Sequence, residues 1–152
     1  PRMRSLSAFW VLPALLVACG SASTISLSVQ MTDEALEVTD SAFGAGLSGS
    51  FQLRFELGSE ASGSTRVTPG NFELQTEAGE VVANLRDAKM APEFPIDLNK
   101  GESKQVLFTL TDISVDRARA CPGPVRIVGS VMDTLKGGTV PVRSGSIKPD
   151  CG

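Results

Sequence analysis

Two antiparallel β-sheets packed face to face are what the sequence predicts, and three observations predict them. Apolar residues recur at every second position in segment after segment. Clusters of Gly, Pro, Asn and Ser separate those segments at short intervals. Beyond the N-terminal apolar run, only Val81 to Met90 is open to a helical reading, with Val82, Leu85 and Lys89 able to share one helix face.

The strands follow in order. Ile25, Leu27, Val29 and Met31 alternate with Ser26, Ser28, Gln30 and Thr32. A polar segment with Asp33, Glu34, Glu37 and Asp40 comes next, then a Gly/Ser-rich stretch, 41–50, which reads as a flexible loop. Phe51, Leu53, Phe55 and Leu57 alternate with Gln52, Arg54 and Glu56. Phe94, Ile96 and Leu98 form a shorter alternation, and Val106, Phe108 and Leu110 another. Val125 to Met132 and Thr139 to Arg143 flank the turn Lys136-Gly137-Gly138. The other turns are expected at Gly58 to Ser64, Pro69-Gly70, Ala78-Gly79 and Asn99-Lys100-Gly101. About eight strands with one apolar face each need two sheets to bury those faces, an immunoglobulin-like antiparallel β-sandwich.

Ahead of the domain, Arg2 and Arg4 precede an uncharged apolar run from Leu6 to Ala18, and Cys19 follows at once. A basic start, about 7–15 apolar residues and small residues at the cut are the marks of an export signal. Pro13 would break a core helix, and the polar stretch 21–28 comes too soon for a membrane span of about 20 residues. Leu16-Val17-Ala18-Cys19 resembles the lipobox of bacterial lipoproteins. The resemblance implies cleavage before Cys19, lipid on its thiol, and a membrane partner engaged through that lipid. Residues 1–18 are then a signal peptide, 19–24 a lipidated tether and 25–152 the sandwich domain. Gly20 rather than Asp after the cysteine implies the outer membrane of the cell envelope if the source is Gram-negative. Several acyl chains, at about 0.8 kcal/mol per buried CH₂, make such anchoring stable.

Removing residues 1–18 leaves 12 basic residues against 17 acidic ones, a formal −5. An acidic domain with no basic cluster is a poor nucleic-acid binder. The chain has no His and no Tyr, and its single Trp, Trp10, lies in the signal segment. Ser-His-Asp and Cys-His catalysis are thereby excluded. The six later aromatics, Phe43, Phe51, Phe55, Phe72, Phe94 and Phe108, are expected in the core. Two cysteines remain, Cys121 and Cys151, and position 136 midway between them falls in the Lys136-Gly137-Gly138 turn. A hairpin folded there brings them together, and in an oxidising compartment they should form a disulfide.

The segment Val67-Thr68-Pro69-Gly70-Asn71-Phe72-Glu73-Leu74, then Glu77-Ala78-Gly79, Leu98-Asn99-Lys100-Gly101-Glu102 and Val106-Leu107-Phe108, is similar to a pattern in secreted bacterial immunoglobulin-like domains of unknown function. The resemblance spans residues 50–111 and implies the sandwich fold and an adhesive, sensory or inhibitory role.

Other motifs lack their context. Gly44-Ala45-Gly46-Leu47-Ser48-Gly49 fits G-x-G-x-x-G but leads into a strand-like segment rather than a helix. Gly58 to Thr65 has the outline of a phosphate loop with Ser in place of its Lys. Asp33, Glu34, Glu37 and Asp40, and Asp112 and Asp116 flanking Ile113-Ser114-Val115, are the carboxylates a glycosidase would draw on, but no Trp or Tyr platform accompanies them; Asp97, Asn99 and Glu102 are the best calcium candidates. The Gly101 turn accounts for the calcium candidates without metal. The expectation is a non-catalytic binding or structural module at the envelope, with no catalytic residue, cofactor or metal. The alternative is an inhibitor or accessory subunit of an exported enzyme or envelope complex.

Overall fold

The computed structural model describes residues 25–152. Ten strands and one helical turn occur in the order β1 (Leu27–Ser41), β2 (Gly44–Leu57), β3 (Thr65–Thr76), β4 (Val81–Asn84), β5 (Lys89–Ala91), β6 (Ile96–Leu98), β7 (Ser103–Val115), α1 (Arg117–Ala120), β8 (Val125–Asp133), β9 (Gly138–Arg143) and β10 (Asp150–Cys151). One sheet has the order β10-β1-β2-β7-β5 and the other β4-β3-β8-β9, with β6 paired to β3. All pairings are antiparallel except the short parallel contact of β10 with β1. Strands β1, β2, β7 and β5 take the places of A, B, E and D in the constant-type immunoglobulin plan, and β3, β8 and β9 those of C, F and G. The described residues thus form an all-β sandwich with β4, β6 and β10 added at edges.

The core follows the predicted alternation. Phe51, Leu53, Phe55 and Leu57 of β2, and Val106, Phe108 and Leu110 of β7, are buried. Val67, Phe72 and Leu74 of β3 and Ile127 and Val131 of β8 are buried as well. Phe51 and Phe108 stack with centroids 4.6 Å apart, and Phe72 tilts against Phe108 at 5.3 Å. Each such ring contributes about 1.5–3 kcal/mol by leaving water. Five of the six phenylalanines join this cluster or its margin. Phe43 does not: it is fully exposed at the tip of the β1–β2 hairpin, where the short turn leaves no opposing sheet to cover it.

Three local readings are corrected. The stretch 41–50 is not a flexible loop; from Gly44 onward it is β2, laddered between β1 and β7. Its glycines permit close approach: a Cβ on Gly46 would sit 2.0 Å from Asp112 Oδ1, and one on Gly49 2.0 Å from Ala35 O. Pro69-Gly70 is not a turn but an irregularity within β3. Val81 to Met90 forms no helix; β4 and β5 lie there, joined by a turn at Arg86-Asp87. The single helical turn is α1, capped by Asp116 Oδ1 accepting from Ala118 N–H at 3.1 Å.

Two bulges that the sequence did not announce keep the long strands amphipathic. Asp33 and Glu34 together oppose one residue of β2, and Thr111 and Asp112 of β7 do the same, one residue extra in each strand. Asp33 and Asp112 adopt left-handed φ values of 56° and 49°. In β1 the inward set changes from odd (Leu27) to even (Leu36, Val38), and in β7 from even (Leu110) to odd (Ile113, Val115).

The Cys121–Cys151 disulfide forms, with Cα atoms 6.0 Å apart. The hairpin is centred as the spacing predicts, Asp133 facing Gly138, Val128 facing Arg143 and Val125 facing Ile147. Its second arm then crosses to the other sheet, where Cys151 aligns with Val38 of β1.

Phe108→Ala should cost about 3–5 kcal/mol in denaturant unfolding, since it empties the centre of the stacked cluster. Cys121→Ser with Cys151→Ser should cost about 3–4 kcal/mol and leave the strand signal in circular dichroism intact. Hydrogen exchange should then rise first at Glu37, Val38 and Asp150, where β10 is held to β1.

Candidate binding groove

β3 is covered unevenly along its outer edge. β6 pairs with residues Thr65 to Val67, β4 with Glu73 to Gln75, and Phe72 C=O accepts from Leu85 N–H at 2.9 Å, so the stretch 68–71 lies between the two partners. Pro69 sits in this gap, where a missing N–H costs no ladder bond. Gly70 is needed beside it, because a Cβ there would lie 2.5 Å from Ser130 Oγ. Across the gap, β5 pairs with only Leu107 to Thr109 of β7, and the chain then runs through cis Ala91-Pro92 and Phe94-Pro95 bonds toward β6.

The result is an open groove of about 700 Å³ between the sheets. Pro69, Met90, Phe94 and Pro95 supply apolar walls, and the exposed Lys89 and Glu93 add opposite charges. A smaller cavity of about 160 Å³ shares Pro69 and Met90 and reaches Phe72 and Phe108 of the aromatic core. A mainly apolar concavity with few polar groups is the usual form of a binding site. A separate polar cleft of about 490 Å³ lies between β4 and the β7 bulge, with Asn84, Asp87, Thr111, Asp112 and Ser114 among its walls.

The calcium candidates are brought together on one loop, but their carboxylates face cations and the turn. Asp97 takes a two-pronged contact from Arg66, Nε to Oδ1 at 2.8 Å and Nη2 to Oδ2 at 3.1 Å. Glu102 Oε2 accepts from Asn99 N–H at 2.7 Å and from Asn99 Nδ2 at 3.2 Å, while Oε1 lies 3.2 Å from Lys104 Nζ. The Asn99 backbone bond holds Glu102 below the ordinary carboxylate range, with Lys104 assisting. Arg66 does the same for Asp97 through its hydrogen bonds. Among the described residues there is no group of three or more His, Cys, Asp or Glu placed to hold a metal ion.

The other acidic candidates scatter. Asp33, Glu34, Glu37 and Asp40 spread along β1, and Asp40 lies 3.3 Å from Arg117 Nη1. Asp112 lies at the β7 bulge, its N–H donating to Ser48 Oγ at 3.1 Å, whereas Asp116 caps α1 and pairs with Arg119 at 3.2 Å. The G-x-G-x-x-G match lies within β2 and opens no helix. Gly58 to Ser64 is the β2–β3 connection and Thr65 the first residue of β3, with Gly58 N–H bonded to Ser26 O and Ala61 buried. Cys19 and the signal segment lie outside the described residues.

Sequence reading did not find the groove. Its only local trace is the run of prolines at 69, 92 and 95, which interrupts strands without saying what lies across from them. It also missed Glu77, which accepts from Ser146 Oγ at 2.7 Å and Arg126 Nε at 3.0 Å and is held below its ordinary range, Ser146 contributing most. Comparison with protein-family models, with curated proteins and with solved structures finds no match.

Glu77, Asp97 and Glu102 are all more acidic folded than unfolded. Their contribution is therefore fully present above the ordinary carboxylate range, near pH 4, and is lost as pH falls through and below it. Melting temperature should be nearly flat between about pH 5 and 7 and fall below about pH 4. Replacing the three together by Gln, Asn and Gln should lower it modestly at pH 7, as expected for exposed pairs, and flatten the acid slope.

Proposed function

We propose that this chain is a lipid-anchored, extracytoplasmic β-sandwich module that binds an envelope protein and carries out no catalysis. Residues 1–18 are its export signal and Cys19 its acylated attachment to the membrane, the outer membrane in a Gram-negative source. Its likeness to secreted bacterial immunoglobulin-like domains is of the same kind. The observation that carries the binding role is the apolar groove lying directly beside a strand edge. β5 ends its sheet, so one side of Lys89 to Ala91 is free to receive an extended segment. A partner strand added there would set its alternate side chains against Met90 and Phe94. Lys89 and Glu93 would meet the polar flanks of that segment.

Two measurements test this reading on the full chain extracted in detergent. Intact mass should show cleavage before Cys19 and added acyl chains; a mature protein with a free Cys19 thiol refutes the anchor. Selection from a displayed peptide library should enrich extended segments with apolar residues at alternate positions. Met90→Ala should weaken their binding about tenfold while leaving the melting transition in place. Ligands indifferent to Met90→Ala would remove the groove from the proposal.

A further inference from the structure

β1 carries the longest uncovered strand edge among the described residues. Its inner side pairs with β2 along the whole strand, but on the outer side β10 meets only Glu37 and Val38. The stretch from Leu27 to Leu36 has no strand hydrogen-bonded to it there, although β9 of the other sheet passes close to β1. Natural edges are kept from pairing by charge, proline, brevity or a bulge. The other edges have such guards. β9 carries Pro141 and Arg143, β4 has four residues, and β5, brief at three, is the edge already assigned to the partner segment. Leu27-Ser28-Val29-Gln30-Met31-Thr32 has neither charge nor proline, and the Asp33–Glu34 bulge begins only after it.

The hydrogen-bonding phase of this edge can be read. Gly58 N–H donates to Ser26 O, so Ser26 turns its backbone toward β2. Antiparallel bonding alternates, which directs Ser28, Gln30 and Thr32 toward β2 and leaves the N–H and C=O groups of Leu27, Val29 and Met31 pointing outward. Val29 and Met31 pack against the core but remain half-exposed at the edge.

We infer that this edge pairs with the same edge of a second copy of the chain, antiparallel, about a two-fold axis at Val29. Such an axis sets opposite one another only residues that point to the same face. The alternation from Ser26 to Thr32 is symmetric about Val29. Leu27 therefore meets the second copy's Met31, Val29 meets Val29, Ser28 meets Gln30 and Ser26 meets Thr32. Apolar stands against apolar and polar against polar, with no charge in the paired stretch. The outward groups of Leu27, Val29 and Met31 bond reciprocally with those of the second copy. Asp33 of each copy falls beyond the stretch, opposite the exposed Ile25, so the acidic bulges never face each other. Two five-stranded sheets become one continuous sheet. The groove beside β5 lies at the far edge of that sheet and stays open in both copies.

Cysteine cross-linking of the full chain in detergent tests the register. Opposed hydrogen-bonded residues have Cα atoms about 5.5 Å apart, within disulfide reach. Oxidised Val29→Cys should give a linked peptide joining position 29 of one copy to position 29 of the other, at least about tenfold above Gln30→Cys linked at position 30. Two copies of position 30 sit two residues out of register and beyond disulfide reach. Adding Ser28→Lys and Gln30→Lys to Val29→Cys sets lysine directly opposite lysine on the solvent face, and should abolish the link while circular dichroism is unchanged. No linked peptide at position 29, equal linkage at position 30, or linkage that survives the lysines overturns the inference. A link at Cys19 in the parent chain speaks only against the lipid anchor, so the two failures are told apart.

Discussion

A sandwich can use long strands only if each keeps a single apolar face from end to end, and here β1 and β7 run to 15 and 13 residues. Two bulges meet that constraint. Each adds one residue to its strand, and each places an aspartate in left-handed backbone geometry, which Asp tolerates better than most side chains. The extra residue exchanges the inward and outward sets, so Leu36 and Val38 succeed Leu27, and Ile113 and Val115 succeed Leu110. Without the exchange, half of each strand would turn its apolar residues to water. The glycines of β2 belong to the same device. Gly49 lies against Ala35, just past the β1 bulge, and Gly46 lies under Asp112 at the β7 bulge. The residues that look like a cofactor fingerprint are there for backbone clearance.

Stability concentrates between β2, β7, β3 and β8, where Phe51, Phe72 and Phe108 meet. This aromatic contact occupies the inter-sheet layer that a disulfide and a tryptophan hold in antibody domains. The chain places its own disulfide elsewhere, tying the end of α1 to β10 at the rim of the β1 sheet. Arg66 with Asp97 joins β3 to β6, and Arg126 with Glu77 joins β8 to the turn after β3, while Lys104 with Glu102 is a local pair at the start of β7. Exposed pairs of this kind define loop shape more than they add stability.

The proposed functions draw on what the fold leaves incomplete. β3 is covered by two short strands with a gap between them, and the gap opens the groove at Pro69. β1 is paired by two residues of β10, and no strand is hydrogen-bonded to the rest of its outer edge. Interior packing and edge recognition are thereby separated: aromatic stacking specifies the core, and backbone groups at strand edges remain for partners.

Local alternation in the sequence determined that Leu27 to Met31, Phe51 to Leu57, Ile96 to Leu98 and Val106 to Leu110 are strands, and which side of the last three faces inward. The midpoint turn between Cys121 and Cys151 determined their pairing. These features need only neighbours in the chain. Tertiary structure decided the rest. The Gly/Ser stretch 41–50 lacks strand propensity, yet becomes β2 because β1 and β7 supply hydrogen bonds on both sides. Val81 to Met90, ambiguous alone, is drawn into two strands by β3 and β7. The calcium candidates are claimed by Arg66 and Lys104; Arg66 sits 31 residues from Asp97 and is unseen as a partner from either position alone. The groove and the bare edge depend on where one strand's cover stops, a relation between distant segments that no local pattern records.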